Sequence, residues 1–521
     1  MVCVTSIKFK KTLGSFYGLA LISIISFSFI MWLNSMYTMP PGTDPGQWLR
    51  ETHALMGNIT PYWERRTLLY PPFSFIILLS VIEIVKNELL ALKIFGSLVF
   101  SLLPIPAYII TKKLGQDKTK AIIAALLTVV APLFYEMWGW GAYPNLLGLF
   151  FLGMTFYFTL NIIDNPCRKN FIFALFSGFL TVYTHHITAV VFVTGFTLYV
   201  PIAAILIFLK WHGPKREARA LKLLSVILLL TIFLSVPIFM SLLNNYDLTS
   251  DAPALTVTLV TALNFIFKGA FLAVPLILLA LLSLFTMASP EETGARVSAR
   301  LKLLLFLLWI IVPLIMTQAY IVGIRADFNR FPFFSVQPVL ILAAMAPINK
   351  AKQLRKKKLR GLLVRACLIF VVIISGFFGI RTAFSANAYY HYLVTGDMKV
   401  GGDKDVYEAI MWIDYQSNLN DTILTSPELA SWIEGLTGKK TLFPGRAYFM
   451  YIKGDVQKCI DAENILNNSI LKYELLEKYN IRFLAILNFD PNLDGVIEDS
   501  TFELLYRTSK VLIFSVGNRT E

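Results

Sequence analysis

Long apolar runs separated by short polar breaks fill the chain from Leu13 to Phe384, after which polarity rises abruptly at Ser385. Runs close to the ~20 apolar residues that a bilayer core requires predict membrane-spanning helices. They fall near 14–34, 89–111, 120–137, 144–163, 170–185, 187–209, 221–243, 262–287, 302–322, 331–348 and 362–384, about eleven in all. The run 71–85 is too short to span comfortably, opens with Pro71-Pro72 and carries Glu83 near its end. An interfacial helix inside the first outer loop is expected there instead.

In the polar tail the period of the pattern changes. Residues 405–415, 427–436 and 462–479 read as helices, whereas 421–425, 440–443, 481–487 and 510–516 read as short strands. A transmembrane domain over 1–385 is therefore expected to be followed by a small α/β domain over 386–521.

Composition supports that division. With 56% hydrophobic and 15% charged residues and a mean hydropathy of +0.63, a soluble globular chain is excluded and a polytopic membrane protein is expected. The net charge of +14 does not point to nucleic acid, because Lys and Arg are concentrated in short loops between the apolar runs. With 71–85 left out of the spans, the basic stretches 112–120, 168–169, 210–222, 296–300 and 350–360 all fall on one face. The positive-inside rule makes that face cytoplasmic. The expected protein is a multi-pass protein of the cell membrane, with a cytoplasmic N-terminus and an extracytoplasmic tail. Lys8, Lys10 and Lys11 precede the first run, which is longer than a signal-peptide core and lacks a cleavage pattern, so it reads as a retained anchor. Cys3, Cys167, Cys367 and Cys459 have neither disulfide nor zinc spacing.

The outer loops are nearly free of Lys and Arg, so Arg50, Arg65, Arg66, Arg325 and Arg330 stand out. Four Asn-x-Ser/Thr patterns, at Asn58, Asn420, Asn467 and Asn518, also fall on that side. Asp44 lies in Gly42-Thr43-Asp44-Pro45-Gly46 directly after the first run, and Glu136 closes the third span ahead of Trp138, Trp140 and Tyr143. His185 and His186 occupy the turn between spans five and six. Each has a local alternative. Asp-Pro-Gly is a turn sequence, the aromatics around Glu136 resemble an interfacial belt, paired histidines can cap helix ends, Arg325 can pair with Asp327 and Arg330 can snorkel. Taken together they carry a chemistry. An acceptor hydroxyl needs a base, carboxylates such as Asp44 and Glu136 can also hold a divalent cation (Mg²⁺ or Mn²⁺), and an anionic leaving group needs arginine.

The first outer loop, Gly-Thr-Asp-Pro-Gly-Gln-Trp-Leu-Arg followed by Gly57-Asn58 and Tyr70-Pro71-Pro72, resembles that of the GT-C superfamily of integral-membrane glycosyltransferases. It is most similar to the catalytic subunit of oligosaccharyltransferase, especially its archaeal form. The resemblance implies that Asp44 is catalytic, that Glu136 stands for the acidic residues of the second outer loop, and that Arg325 or Arg330 contacts the donor phosphate. The tail is similar to the core C-terminal region of the same subunits. It departs from them where they carry Trp-Trp-Asp-Tyr-Gly, since this chain has Ser426-Pro427-Glu428-Leu429-Ala430-Ser431-Trp432. An acceptor other than protein asparagine is therefore expected.

The function expected from these readings is transfer of a sugar from a polyprenyl-phosphate donor to a glycan, lipid or protein acceptor outside the membrane. Asp44 would serve as general base or metal ligand, Arg325 or Arg330 would stabilise the departing phosphate, and Trp48, Trp138, Trp140, His185 or His186 would line the site. The competing readings are a transporter or flippase of lipid-linked sugars and a non-catalytic receptor or scaffold. No Gly-rich phosphate loop or dinucleotide fingerprint supports use of a nucleotide at the inner face.

Overall fold

A computed structural model describes residues 2–57, 70–115, 117–208, 215–245, 270–288, 295–318, 330–346, 355–418, 420–442, 455–467 and 471–517. Each of the eleven apolar runs contains helix among its described residues. In chain order the helices are α1 Val2–Ser35, α2 Asp44–Leu55, α3 Phe73–Val85, α4 Glu88–Leu102, α5 Pro104–Gly115, α6 Lys118–Val129, α7 Pro132–Gly139 and α8 Tyr143–Asp164. They continue as α9 Arg168–Thr184, α10 His186–Phe208, α11 Lys215–Asn245, α12 Ala270–Ala288, α13 Ala295–Met316, α14 Phe333–Ala344 and α15 Arg355–Thr395.

Among the described residues, seven of these segments are long and apolar enough to cross a membrane on their own, or eight if α6 and α7 count as one span. The remaining expected spans lie on α9, α12 and α14, which are shorter or continue into residues outside the described set. The excluded 71–85 run is the 13-residue α3, about 20 Å long at 1.5 Å per residue and too short for the hydrocarbon core. The lipid-facing rim keeps large apolar side chains exposed, among them Ile25, Phe176, Phe233, Leu278 and Phe377. Central α8, by contrast, has 67% of its window buried against 28% for α1.

Local chemistry sets the helix ends. The side chain of Asn87 accepts from the Leu90 amide at the start of α4, and that of Asp117 accepts from the Thr119 and Lys120 amides at the start of α6. Between α6 and α7 the axis bends by 41°, where Pro132 supplies no amide to continue the ladder. The bend is packed by Gly379 of α15, since a Cβ on Gly379 would overlap the carbonyl oxygen of Val130. Gly379→Ala is therefore expected to lower stability by about 1–3 kcal/mol, as overpacking does. Thermal unfolding of the purified variant would show this, and an unchanged midpoint would mean that the bend yields freely.

The last membrane helix differs from expectation. The rise in polarity at Ser385 does not end it, and α15 continues to Thr395 because Ala386, Asn387, His391 and Val394 are buried on one side. It stops at Gly396, whose φ of 65° and amide bond to the Tyr392 carbonyl (2.7 Å) form a left-handed cap.

The tail contributes α16 Lys404–Gln416, β1 Thr422–Thr425, α17 Pro427–Thr437, β2 Lys440–Thr441, α18 Asp455–Leu466, α19 Lys472–Lys478, β3 Ile481–Leu487, α20 Leu493–Glu498, β4 Phe502–Arg507 and β5 Val511–Val516. The sheet order is β2-β1-β3-β5-β4. Strand β1 runs parallel to β2 and β3, while β5 is antiparallel to β3 and β4. The expected helix over 462–479 is two helices, α18 ending at Leu466 and α19 beginning at Lys472, with 468–470 outside the described residues. Strand β4 was not anticipated, because a register irregularity between Leu504 and Tyr506 spoils its alternation.

Alternation in the other strands joins the tail to the bundle. Phe483, Ala485 and Leu487 of β3, with Val511 and Ile513 of β5, belong to the same buried cluster as the membrane helices. Their neighbours Leu484, Ile486, Leu512 and Phe514 form a second cluster with α18 and α19 on the opposite face.

Candidate active site

The loop after α1 is fixed before it reaches Asp44. The Tyr37 ring stacks on His391 of α15 with centroids 3.5 Å apart and planes 13° apart, and Lys93 Nζ donates to the Tyr37 carbonyl at 2.7 Å. The Asp403 carboxylate accepts from the Thr38 and Met39 amides at 3.0 and 2.5 Å. Burial pushes the Asp403 carboxyl upward from its ordinary pKa, while those two amides pull it back. Gly42 then turns the chain with φ 86°. A Cβ there would stand 2.6 Å from the Trp140 carbonyl oxygen, so only glycine permits the loops after α1 and α7 to touch.

Asp44 opens α2 and is 6% exposed. An acidic residue in a first turn suits the positive end of the helix, and Pro45 behind it needs no amide partner. One turn on, Trp48 Nε1 donates to the Gly141 carbonyl at 2.6 Å, so the two loops are joined by a side chain as well as by close backbone contact.

Glu136, half-buried on α7, faces α15, where Tyr390 Oη donates to Glu136 Oε2 at 3.4 Å. The charges of both Asp44 and Glu136 act on the Tyr390 hydroxyl, and that of Asp44 acts on Tyr143. The two carboxylates thus share one neighbourhood. Trp140 borders it, with Phe333 edge-on at 5.1 Å and Tyr390 at 6.5 Å. Over the Trp140 ring, 5.7 Å from its centroid, lies the guanidinium of Arg330.

Arg330 also exerts its charge on His185 and His186. These imidazoles stack on each other, 4.6 Å apart and inclined by 20°, at the α9–α10 junction. His185 Nδ1 is buried without a hydrogen-bond partner among the described residues. Tyr70 closes the ring of contacts, 4.7 Å from His186 and 5.2 Å from Trp48.

Of the residues singled out in the sequence, Asp44, Glu136, Trp48, Trp140, His185, His186 and Arg330 therefore adjoin one another through a continuous set of neighbours. Trp138 does not join them. It is wholly buried in the core on the other side of α7. Arg325 lies outside the described residues. Arg50, conspicuous as an outer arginine, is buried and paired at 2.9 Å with both Glu51 and Glu434 of α17. Tyr390 and Tyr143 were not singled out. Tyr390 lies beyond the expected end of the last span, and only the continuation of α15 brings it to Glu136. Among the described residues no group of three or more His, Cys, Asp or Glu side chains is placed to hold a metal ion.

The membrane helices, the interlocked outer loops and the docked α/β tail together make up the fold of the GT-C integral-membrane glycosyltransferases. Solved structures similar to this chain include ArnT from Cupriavidus metallidurans bound to undecaprenyl phosphate, with a TM-score of 0.58 and 12% identity over 96% of this chain and 98% of that one. The archaeal oligosaccharyltransferase AglB from Archaeoglobus fulgidus, in complex with an inhibitory peptide and a dolichol-phosphate, matches with a TM-score of 0.56 and 14% identity, over 92% of this chain and 70% of its own. The arabinofuranosyltransferase AftD from Mycobacteria matches with a TM-score of 0.59 and 13% identity, over 96% of this chain and 40% of its own. The sequence matches no protein-family model and no curated protein.

Proposed function

We propose that the chain is a glycosyltransferase that moves a sugar from a polyprenyl-phosphate carrier to an acceptor hydroxyl at the membrane face bearing Asp44. The observation that carries this reading is the grouping of two carboxylates and one arginine, drawn from three segments distant in sequence, around Tyr390 and Trp140. The solved structures of similar fold that hold undecaprenyl phosphate and dolichol-phosphate support the choice of carrier.

In the proposed reaction the acceptor oxygen attacks the anomeric carbon and its proton passes to the Asp44 carboxylate. The bond from that carbon to the phosphate oxygen breaks, and the polyprenyl phosphate leaves with the electron pair. Arg330 faces the charge that develops there. Glu136 holds Tyr390 and supports Asp44, while His185 and His186 line the phosphate side. A divalent cation held by Asp44 and Glu136 would supply further stabilisation of the phosphate.

The place of the absent Trp-Trp-Asp-Tyr-Gly signature supports an acceptor other than asparagine. Ser431 and Trp432 are fully buried there, and Trp432 Nε1 donates to the Gly42 carbonyl at 3.0 Å. The Trp432 side chain thus holds the loop that follows α1.

Incubation of the purified protein with a panel of polyprenyl-phosphate sugars and membrane glycan extract is expected to yield a glycosylated product and free polyprenyl phosphate. Movement of intact donor across a vesicle bilayer without cleavage would instead identify a transporter. Arg330→Ala is expected to weaken binding of polyprenyl phosphate by about 10- to 100-fold, the worth of a charged hydrogen bond. Arg330→Lys should restore only part, because a point charge lacks the guanidinium fork. Unchanged affinity in Arg330→Ala, measured by ligand-induced thermal stabilisation, would remove this residue from the site.

A further inference from the structure

At the opposite end of the bundle from Asp44 lies a cavity of about 480 Å³. Helix α8 connects the two ends. Tyr143, at its start, neighbours the candidate active site, and Asp164, at the other end of this 22-residue helix, lines the cavity about 30 Å away at 1.5 Å per residue. This is the end that carries the basic loops. Arg216, Ser298, Lys302, Met287 and Met345 line the cavity with Asp164.

Among the described residues, the charges there are predominantly positive. Asp164 receives both Lys113 at 2.8 Å and Lys302 at 2.5 Å, although either lysine alone would neutralise it. Arg216 pairs with Glu217 at 2.9 Å but keeps 48% of its side chain exposed. Lys120 adds a further cation beside the wall, donating to the carbonyls of Met345 and Ala346 at 3.0 and 2.9 Å. Of the charged groups, Arg216, Lys302 and Asp164 line the cavity itself, two cations to one carboxylate, and Lys120 behind the wall has Asp117 beside it. Ser298, buried near the N-terminal end of α13, adds a hydroxyl and the positive end of a helix. Met287 and Met345 supply an apolar wall beside this polar floor.

We infer that this cavity binds the phosphate of an anionic headgroup, with Lys302 and Arg216 as its principal contacts and the methionine wall against the apolar part of the molecule. A position at the basic ends of the membrane helices suits a phospholipid of the adjacent leaflet, and a soluble phosphate ester shares the same polar chemistry. The site neither overlaps nor depends on the proposed glycosyl transfer.

The test is native mass spectrometry of the full-length protein from phosphatidylcholine nanodiscs containing phosphatidylglycerol, which counts the phosphatidylglycerol retained. The double variant Arg216→Ala/Lys302→Ala is expected to retain it about thirtyfold more weakly, given roughly a tenfold effect per 1.4 kcal/mol and the worth of two basic residues at a membrane surface. Met287→Trp, which fills the cavity and keeps every charge, should lose retention as well, and it stands as the second variant should the first fail to fold. Arg300→Ala, an exposed neighbouring cation that does not line the cavity, should leave retention unchanged. In a parallel arm, inorganic phosphate and glycerol phosphate are tested for thermal stabilisation of the detergent-solubilised protein. Stabilisation by them that Met287→Trp abolishes, without selective retention of phosphatidylglycerol, would assign the site to a soluble phosphate. Equal retention by wild type and all variants, or no response to either probe, would overturn the proposal.

Discussion

Asp44→Asn is expected to lower the rate of sugar transfer by about 10²–10⁴-fold, the usual contribution of a positioned general base, while leaving the protein folded. The substitution keeps the shape of the side chain at the start of α2 and removes only its ability to take a proton or carry charge. The loop that presents it is held by other contacts as well. Tyr37, Thr38 and Met39 are held by His391, Lys93 and Asp403, Gly42 by Trp432, and Trp48 by Gly141. Product formation from a polyprenyl-phosphate sugar, measured beside the thermal midpoint, separates the two effects. A variant that turns over at the wild-type rate would remove Asp44 from the chemistry.

The second large effect is expected at the joint between the membrane domain and the tail. Glu434→Ala should destabilise the protein by about 2–3 kcal/mol, the cost of losing buried charged hydrogen bonds, while Arg50 keeps Glu51 at 2.9 Å. Glu434 lies on α17 with its side chain fully buried, 2.9 Å from Arg50 of α2, and it also accepts from Thr441 Oγ1 at 2.5 Å. Beneath this pair the two helices touch through backbone. A Cβ on Gly435 would overlap the Gly46 carbonyl, and one on Gly46 would stand 2.5 Å from the Ser431 carbonyl. Because α2 begins with Asp44, loosening this joint should also lower transfer activity, and limited proteolysis should release the tail sooner than in wild type. An unaltered melting curve and digestion pattern would show that the pair contributes nothing to docking.

How much of this was legible in the sequence differs from element to element. The apolar runs marked the membrane helices because the hydrocarbon core imposes length and composition on each one separately. The exclusion of 71–85 rested on its length, its opening Pro71-Pro72 and Glu83 near its end, and α3 is indeed short. Strands β1, β3 and β5 were legible because their apolar residues sit in compact runs bounded by turn formers. The end of α15 was not, because a helix ends where its backbone is capped and its packing ceases. Gly396 and the buried face through Val394 decided that, rather than the rise in polarity at Ser385.

The candidate site divides in the same way. Asp44, Glu136 and Arg330 could be selected one at a time, since ionisable groups at a membrane boundary are costly to keep there. Their adjacency could not be read, because it depends on Gly42 meeting the Trp140 backbone and on α15 carrying Tyr390 past the end of its apolar stretch. Arg50 could not be distinguished from Arg330 by type or by loop. Its burial against Glu434, more than three hundred residues away, makes it a structural residue, whereas Arg330 stands over Trp140 at the site. The sequence by itself determined which segments enter the bilayer and which chemical groups stand at its boundary, because those follow from transfer free energies that each residue carries alone. Only the tertiary structure decided which of those groups meet, because contact between distant loops depends on close backbone approach and shared burial, which no local pattern records.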